Sequence, residues 1–448
     1  MSTPWSRRTF LGATSLAAAG AAVGAKPAPR SETSRPVLLG GSKAYPESPP
    51  MWPVTTATDE RAMQEVLRSR SWFRGNGKQV LRFEEAYASL VGAKCCVATA
   101  SGTAALTAAL GGLDLGPGDE VILPPYTFVA TYNVVVLNHA LPVFVDTDAE
   151  SFQIDATQVE SAITPDTRAI LPVHIAGSPA DLDRLLDIGR RRQVPIIEDA
   201  CQAHLAEWRG RKVGTWGLAG CFSFQASKNL TSGEGGAVVT DDETFAEACY
   251  RFHSQGRGRR FTKAGPELSG ARGSNLRLTE FQAALLLAQM TRLEEQSRRR
   301  QENAAYLTSM LNQLRGIRPA RVYDGTTRSA WHLYMFAYDA TEFSGMTRSR
   351  FLEALSREGV PASGGYTPLP REPYVAALAN QRHYLRIYGE TRMKRWLEQT
   401  RDLARNDRVC ESAVWLTQNL LLGSRGDMDR IAEAIRKIQR HSAALAKG

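Results

Sequence analysis

The sequence predicts an α/β protein, with a large domain on a mostly parallel seven-stranded sheet and a smaller α+β C-terminal domain. Three observations carry that expectation. Between residues 90 and 240, short apolar runs alternate with helix-period segments, the pattern a parallel sheet covered by helices requires. Beyond Ser274 this gives way to one long amphipathic stretch that suits a bridge between domains. The 448 residues exceed what a single small core organises.

Taken in order, the chain begins with Ser6-Arg7-Arg8-Thr9-Phe10-Leu11-Gly12, followed by small apolar residues to Ala25. The stretch resembles a twin-arginine export signal: a charged start, an apolar run too short to anchor in a bilayer, and small residues at a cleavage point. It implies a periplasmic or secreted location reached through the twin-arginine machinery, or a cytoplasmic one if the signal is degenerate. Residues 1–30 are assigned to that signal and the Pro- and Ser-rich residues 31–50 to a linker and N-terminal arm. Residues 51–300 form the expected large domain and 301–448 the small one. Strands are expected at 95–99, 120–123, 142–145, 169–173, 195–198, 220–224 and 236–240, with helices such as 103–113 and 180–193 between them. A long helix follows at 279–306, then a strand at 331–338 and helices at 348–358 and 427–443. Residues 375–410 are too polar and arginine-rich to assign from pattern.

Composition narrows the function classes. Hydrophobic residues make up 43% and charged residues 23%, close to globular averages. Beyond the N-terminus no apolar run approaches the roughly 20 residues that span a bilayer. The formal charge of +9 would fall to +7 if Arg7 and Arg8 left with a peptide cut after Ala25. No helix-turn-helix, zinc-finger or RNA-binding signature accompanies it, so nucleic acid is not an expected partner. The densest basic patch, Arg251, Arg257, Arg259, Arg260, Lys263, Arg272 and Arg277 against Glu267, reads either as a solvated loop or as an anion site. Six cysteines form no C-x-x-C pair and stand at no zinc spacing, so neither a metal site nor a disulfide framework is expected.

Four segments carry chemistry. Ser101-Gly102-Thr103-Ala104 follows a strand and opens a helix, where free N–H groups and the helix dipole receive a phosphate, although a plain helix cap has the same sequence. Pro124-Pro125-Tyr126-Thr127-Phe128 puts an aromatic at a strand end, able to cover a planar heterocycle, and Phe128 is preferred to Tyr126. Ile196-Ile197-Glu198-Asp199-Ala200-Cys201-Gln202-Ala203-His204 ends a buried strand in two carboxylates. Unpaired buried charge is costly, so Asp199 calls for a cation, and a protonated pyridine nitrogen answers. In Ser223-Phe224-Gln225-Ala226-Ser227-Lys228, one lysine lies between an apolar strand and the glycine-rich turn 233–236. There it can be desolvated into a nucleophile, the Schiff-base residue.

Together these segments resemble the DegT/DnrJ/EryC1/StrS family of sugar aminotransferases across residues 50 to 440. The resemblance implies a fold-type I enzyme dependent on pyridoxal 5'-phosphate (PLP), with Lys228 catalytic. It implies that Asp199 binds the pyridine nitrogen, Gln202 contacts the ring's hydroxyl region and Phe128 stacks on the ring, while Gly102, Thr103 and Ser223 hold the phosphate. Asn275, in Gly273-Ser274-Asn275-Leu276-Arg277, matches the asparagine that a second subunit supplies to the phosphate, which implies a homodimer. Trp331-His332-Leu333-Tyr334 and Gly364-Gly365-Tyr366-Thr367-Pro368-Leu369 resemble segments of members that act on inosose-type cyclitols, so His332, Tyr334 and Tyr366 are the candidate substrate contacts. Leu205 departs from the family's usual glycine, and Gln418-Asn419 from a proline-containing strand end. The implied reaction is ping-pong amination of a keto-sugar or cyclitol ketone, with glutamate or glutamine as donor. Two other readings are weighed: a sugar dehydratase of the same family, which has histidine where Lys228 stands, and an exported binding protein that keeps the fold without turnover.

Overall fold

The computed structural model describes residues 34–257, 260–261 and 272–447. The export-signal assignment, and Arg259, Lys263 and Glu267 of the basic patch, lie outside them.

Seven strands form the large-domain sheet: β1 (Cys95–Thr99), β2 (Glu120–Leu123), β3 (Leu141–Phe144), β4 (Thr167–Ile170), β5 (Ile197–Asp199), β6 (Ala219–Ser223) and β7 (Gly236–Thr240). β1, β7, β6 and β5 are hydrogen-bonded in that order, as are β3, β2 and β4. Parallel bridges at Ile170–Ile196 and Val173–Asp199 join the two sets. Only β7 runs against its neighbours, pairing antiparallel with β1 and β6. The carboxyl ends of the other six therefore face one edge, where open α/β sheets bind ligands. Both faces are covered, so the strands read as apolar runs: all five residues of β1, β6 and β7 are buried.

Helix boundaries follow their caps. Gly102–Gly112 begins after Ser101, whose hydroxyl accepts from the Ala104 N–H at 3.0 Å. Leu182–Arg192 starts at the Asp181 cap and ends in three arginines that suit its dipole. The long helix, Glu280–Leu311, opens with a capping box between Thr279 and Gln282 and runs a turn and more beyond the expected end at 306. It crosses from the large-domain core, where Ala283 and Leu286 pack, to the small-lobe core, where Leu307 and Leu311 pack.

The small lobe contains an antiparallel sheet of β8 (Ile317–Pro319), β9 (Leu333–Tyr338) and β10 (Ala413–Thr417), backed by Arg348–Arg357 and Arg425–Arg440. Two corrections concern its limits. A boundary at residue 300 divides the chain too simply, because the unassigned region is helical and docks on the large domain. Pro373–Leu378, Arg382–Tyr388 and Glu390–Arg401 contribute Val375, Leu378, Tyr384, Met393 and Trp396 to the core that holds β1, β2 and β6. Tyr384 and Trp396 donate to the carbonyls of Ala140 (2.9 Å) and Pro142 (2.6 Å), and Arg392 pairs with buried Glu120. Second, the N-terminal arm is tied to the small lobe: Val37 and Ala44 donate to the buried Glu358 carboxylate at 2.8 and 2.9 Å, and Lys437 pairs with it at 2.7 Å.

Candidate active site

The functional candidates gather at the carboxyl edge of the sheet. β5 ends in Glu198 and Asp199, both buried, and the two have different fates. Glu198 is saturated by the N–H groups of Gly214, Trp216 and Gly217 at 2.7 to 2.8 Å and by His174 at 2.9 Å, which marks it as architectural. Asp199 receives only neutral donors: the Thr131 hydroxyl at 2.9 Å, itself bonded to Thr127 at 2.8 Å, and the Cys201 N–H at 3.2 Å. Among the described residues no lysine, arginine or histidine forms an ion pair with it. A buried carboxylate whose hydrogen bonds come from neutral donors has room for a cationic ring nitrogen, so this donor set suits pyridoxal phosphate.

Lys228 lies in the turn beyond β6, the parallel neighbour of β5. Its backbone N–H closes onto the Gln225 carbonyl at 2.8 Å, and Ala226 N–H onto that of Gly233 at 2.9 Å. Burial pulls the amine below the usual lysine range, while Cys201 and Asp199 act in the opposite direction. The glycine-rich turn expected around it is present, with Gly233 and Gly235 at φ of 85° and 149°.

The phosphate candidates meet as well. A Cβ on Gly102 would stand 2.5 Å from that of Ser223 and 2.9 Å from Cys201 Sγ, so only glycine fits there. The N–H groups of Gly102 and Thr103, at the helix start, have no acceptor among the described residues. His204 secures this corner from behind. Its Nε2 lies 2.8 Å from the Ser223 carbonyl, which only accepts, so Nε2 carries the proton and Nδ1 accepts the Tyr87 hydroxyl at 3.0 Å. Burial holds His204 down to about 4, in its neutral form.

Gln202 is buried; its Oε1 accepts the Ala176 N–H at 2.7 Å, and its Nε2 donates to the Tyr366 hydroxyl at 3.2 Å. That bond carries the small-lobe segment 364–369 into the site. Tyr366 packs edge-on against Tyr126 and Trp415, and Trp415 donates to the Tyr126 hydroxyl at 2.9 Å. Tyr126 is thus a core ring, whereas Phe128 is 56% exposed just before the Ala130–Leu137 helix, free to cover a planar ligand. His332 is buried with Nδ1 at 3.3 Å from Asn229 Oδ1, and burial together with the Lys228 charge keeps it neutral.

Tyr334 does not reach the site. It is fully buried in the small-lobe core, where its hydroxyl bonds Thr308 at 2.8 Å. Trp331 has φ of 53° and β9 starts only at Leu333, so His332 and Tyr334 do not share one strand's alternation. Sequence reasoning also passed over Thr131, Thr127 and Trp415. The two threonines stand four residues apart, Thr127 within the quoted motif and Thr131 in the first turn of the helix that follows it.

The basic patch is largely spoken for: Arg260 pairs with Glu84, Arg251 with Glu247 at 3.2 Å, and Arg272 with Asp114 at 3.2 Å. The cysteines are free and, apart from half-buried Cys201, buried. Among the described residues no cluster suits a metal ion, and no helix is long and apolar enough to cross a membrane.

Residues 53–412 match the family model described as the DegT/DnrJ/EryC1/StrS aminotransferase family. The chain belongs to the DegT/DnrJ/EryC1/StrS family. It is a PLP-dependent aminotransferase of fold type I. Among its relatives is the L-glutamine:2-deoxy-scyllo-inosose aminotransferase of Streptoalloteichus tenebrarius, 38% identical, with 88% of this chain and 95% of the relative covered. The L-glutamine:scyllo-inosose aminotransferase of Streptomyces griseus is 36% identical over 90% of this chain and 96% of its own. Among solved structures, 3-amino-5-hydroxybenzoic acid synthase superposes with a TM-score of 0.76 at 31% identity, covering 88% of this chain and 99% of that one.

Proposed function

We propose that this enzyme transfers the amino group of glutamine to the ketone of an inosose-type cyclitol, with PLP held on Lys228. The observation that carries this reading is the placing of buried Asp199, which forms no ion pair among the described residues, near Lys228 at the carboxyl ends of neighbouring parallel strands, where burial lowers the amine. Relatives acting on glutamine and inososes support the substrate pair.

When bound, the cofactor supplies an electron sink for negative charge developed at the substrate's α-carbon. The chain does the rest. Asp199 keeps the pyridine nitrogen protonated, with Thr131 fixing the carboxylate. Gln202 faces the ring's hydroxyl region, and Phe128 covers one face. The N–H groups of Gly102 and Thr103, with Ser223, hold the phosphate, and Asn275 of a second subunit completes that shell in a homodimer. Lys228, its basicity lowered by burial, takes a proton from the donor's Cα and returns one to the acceptor carbon. His332 and Tyr366 are the residues proposed to contact the cyclitol hydroxyls.

The leader motif from Ser6 to Ala25 supports twin-arginine export and a site of action outside the cytoplasm. Replacing both arginines by lysine should leave a tagged chain in the cytoplasm; unchanged fractionation would mean the motif is degenerate. For the reaction, the purified enzyme with PLP should consume glutamine and aminate scyllo-inosose or 2-deoxy-scyllo-inosose. Turnover on neither, with activity on a nucleotide-linked keto-sugar, would overturn the cyclitol assignment.

A further inference from the structure

The start of the large domain, just after the N-terminal arm, passes beside the Lys228 turn, and one of its side chains holds that turn. Asn419 Nδ2 donates to the Pro50 carbonyl at 2.7 Å, and Val54's carbonyl accepts from Arg292 at 2.8 Å. Between these anchors the Trp52 indole N–H donates to the carbonyl of Ala226 at 2.9 Å, two residues before Lys228. The face of the same indole lies under the Arg300 guanidinium, 5.1 Å from carbon to ring centroid. Arg300 is fully buried, and its described polar partner is neutral: Gln418 Oε1 accepts from Nε at 2.9 Å and from Nη2 at 2.5 Å, while Nη1 finds no acceptor.

We propose that Trp52 is a positioning residue for Lys228, clamping the Ala226–Lys228 turn against the long helix through its indole N–H and its Arg300-capped face. The proposal rests on the reading of Lys228 as the Schiff-base residue. The turn's own bonds, Lys228 to the Gln225 carbonyl, Ala226 to that of Gly233 and Ser227 to Gln225 Oε1 at 2.8 Å, leave the Ala226 carbonyl unengaged. The described donor to the Ala226 carbonyl is Trp52, and without it the turn would be free to swing and water to approach the amine. Arg300 gives the clamp rigidity. A buried cation with no carboxylate gains from an aromatic face, so ring and guanidinium hold one another in place. The Gln418-Asn419 pair, noted as a departure from the family pattern, thereby has a use: Gln418 seats Arg300, and Asn419 seats the arm.

The test is a pH titration of the visible absorbance of the PLP-loaded Trp52→Phe variant, alongside kcat and KM for glutamine. Phenylalanine keeps a ring beneath Arg300 and removes only the donor. Burial disfavours a protonated nitrogen at this position, Schiff base as well as free amine, so loosening the turn should raise the spectral midpoint by about half a pH unit or more. It should lower kcat about tenfold with KM within about twofold. A merely structural role would lower the melting temperature and leave the midpoint alone, so a wild-type midpoint in folded Trp52→Phe overturns the proposal. If that variant does not fold, Asn419→Ala, which frees the arm at Pro50, must raise the midpoint, and a wild-type value there overturns it equally. A wild-type enzyme with no visible band would instead refute Lys228 as the cofactor's anchor.

Discussion

At the scale of single residues, chemistry read from the sequence is tested by changing one functional group at a time. Lys228→Ala should fold normally, lose the cofactor's visible band and turn over at least about a thousandfold more slowly, within the range that positioned proton transfer contributes. A borohydride-trappable PLP adduct in that variant would refute the assignment. Asp199→Asn should still bind PLP but lose about a hundredfold or more in kcat, roughly 3 kcal/mol of transition-state stabilisation, because an amide cannot keep a ring nitrogen protonated. A near-normal rate would reassign Asp199 beside Glu198 as architectural. His204 supplies a pH prediction. Its folded pKa of about 4 lies below the model-peptide value of 6.5, so between these limits the unfolded chain binds the extra proton. The stability it contributes is fully present above 6.5 and is lost as the pH falls from there toward 4. His204→Gln should flatten that part of an acid denaturation profile; an unchanged slope would show that other groups govern it. Asp199 and Lys228 stood out in the sequence because charge is costly to bury, whereas Gln202 entered only through the family resemblance. Tyr334 faces the small-lobe core, and its register with His332 was not legible because the strand starts only at Leu333, which leaves His332 outside its alternation.

At the scale of elements, the seven sheet strands were legible from their apolar runs and the helix starts from their caps, as at Thr279. Region 375–410 was not. Its arginines and glutamates dilute the apolar signal, yet Tyr384, Met393 and Trp396 are all buried, and the charged side chains between them find partners such as Glu120 or point to solvent. Pattern reading weighs residues equally, whereas a docked helix needs only a few large apolar anchors. Trp396→Ala should therefore cost about 3 to 5 kcal/mol, as expected for removing a buried large aromatic, and the loss of its bond to Pro142 adds to that. Tyr384→Phe, which removes only a hydroxyl, should cost about 1 kcal/mol. Denaturant unfolding followed by far-UV circular dichroism distinguishes the two. Equal, small effects would mean that these helices are an ornament on the sheet rather than part of its core.

At the scale of the whole molecule, the question is whether one chain completes a site. Asn275 is exposed and paired through an antiparallel bridge with Ser254, and the helix that follows is capped by Thr279, so Asn275 is not spent as a helix cap. Beside it, Arg277 covers the ring of Phe73, which is 56% exposed next to Trp72 at 49%. Exposed aromatics flanked by arginine suit a self-association face, where such residues are enriched. If a second copy docks there, its Asn275 adds a neutral donor to a phosphate already held by one helix N-terminus. The decisive experiment mixes purified Asn275→Ala with Lys228→Ala under conditions of demonstrated subunit exchange. In a mixed dimer, the chain with intact Lys228 receives Asn275 from its partner, so one of the two sites regains activity. The other stays silent for want of its lysine. Recovery approaching half the wild-type rate per mixed dimer would establish sharing across the interface. No recovery despite exchange would mean that Asn275 acts within its own subunit or has no part in the site.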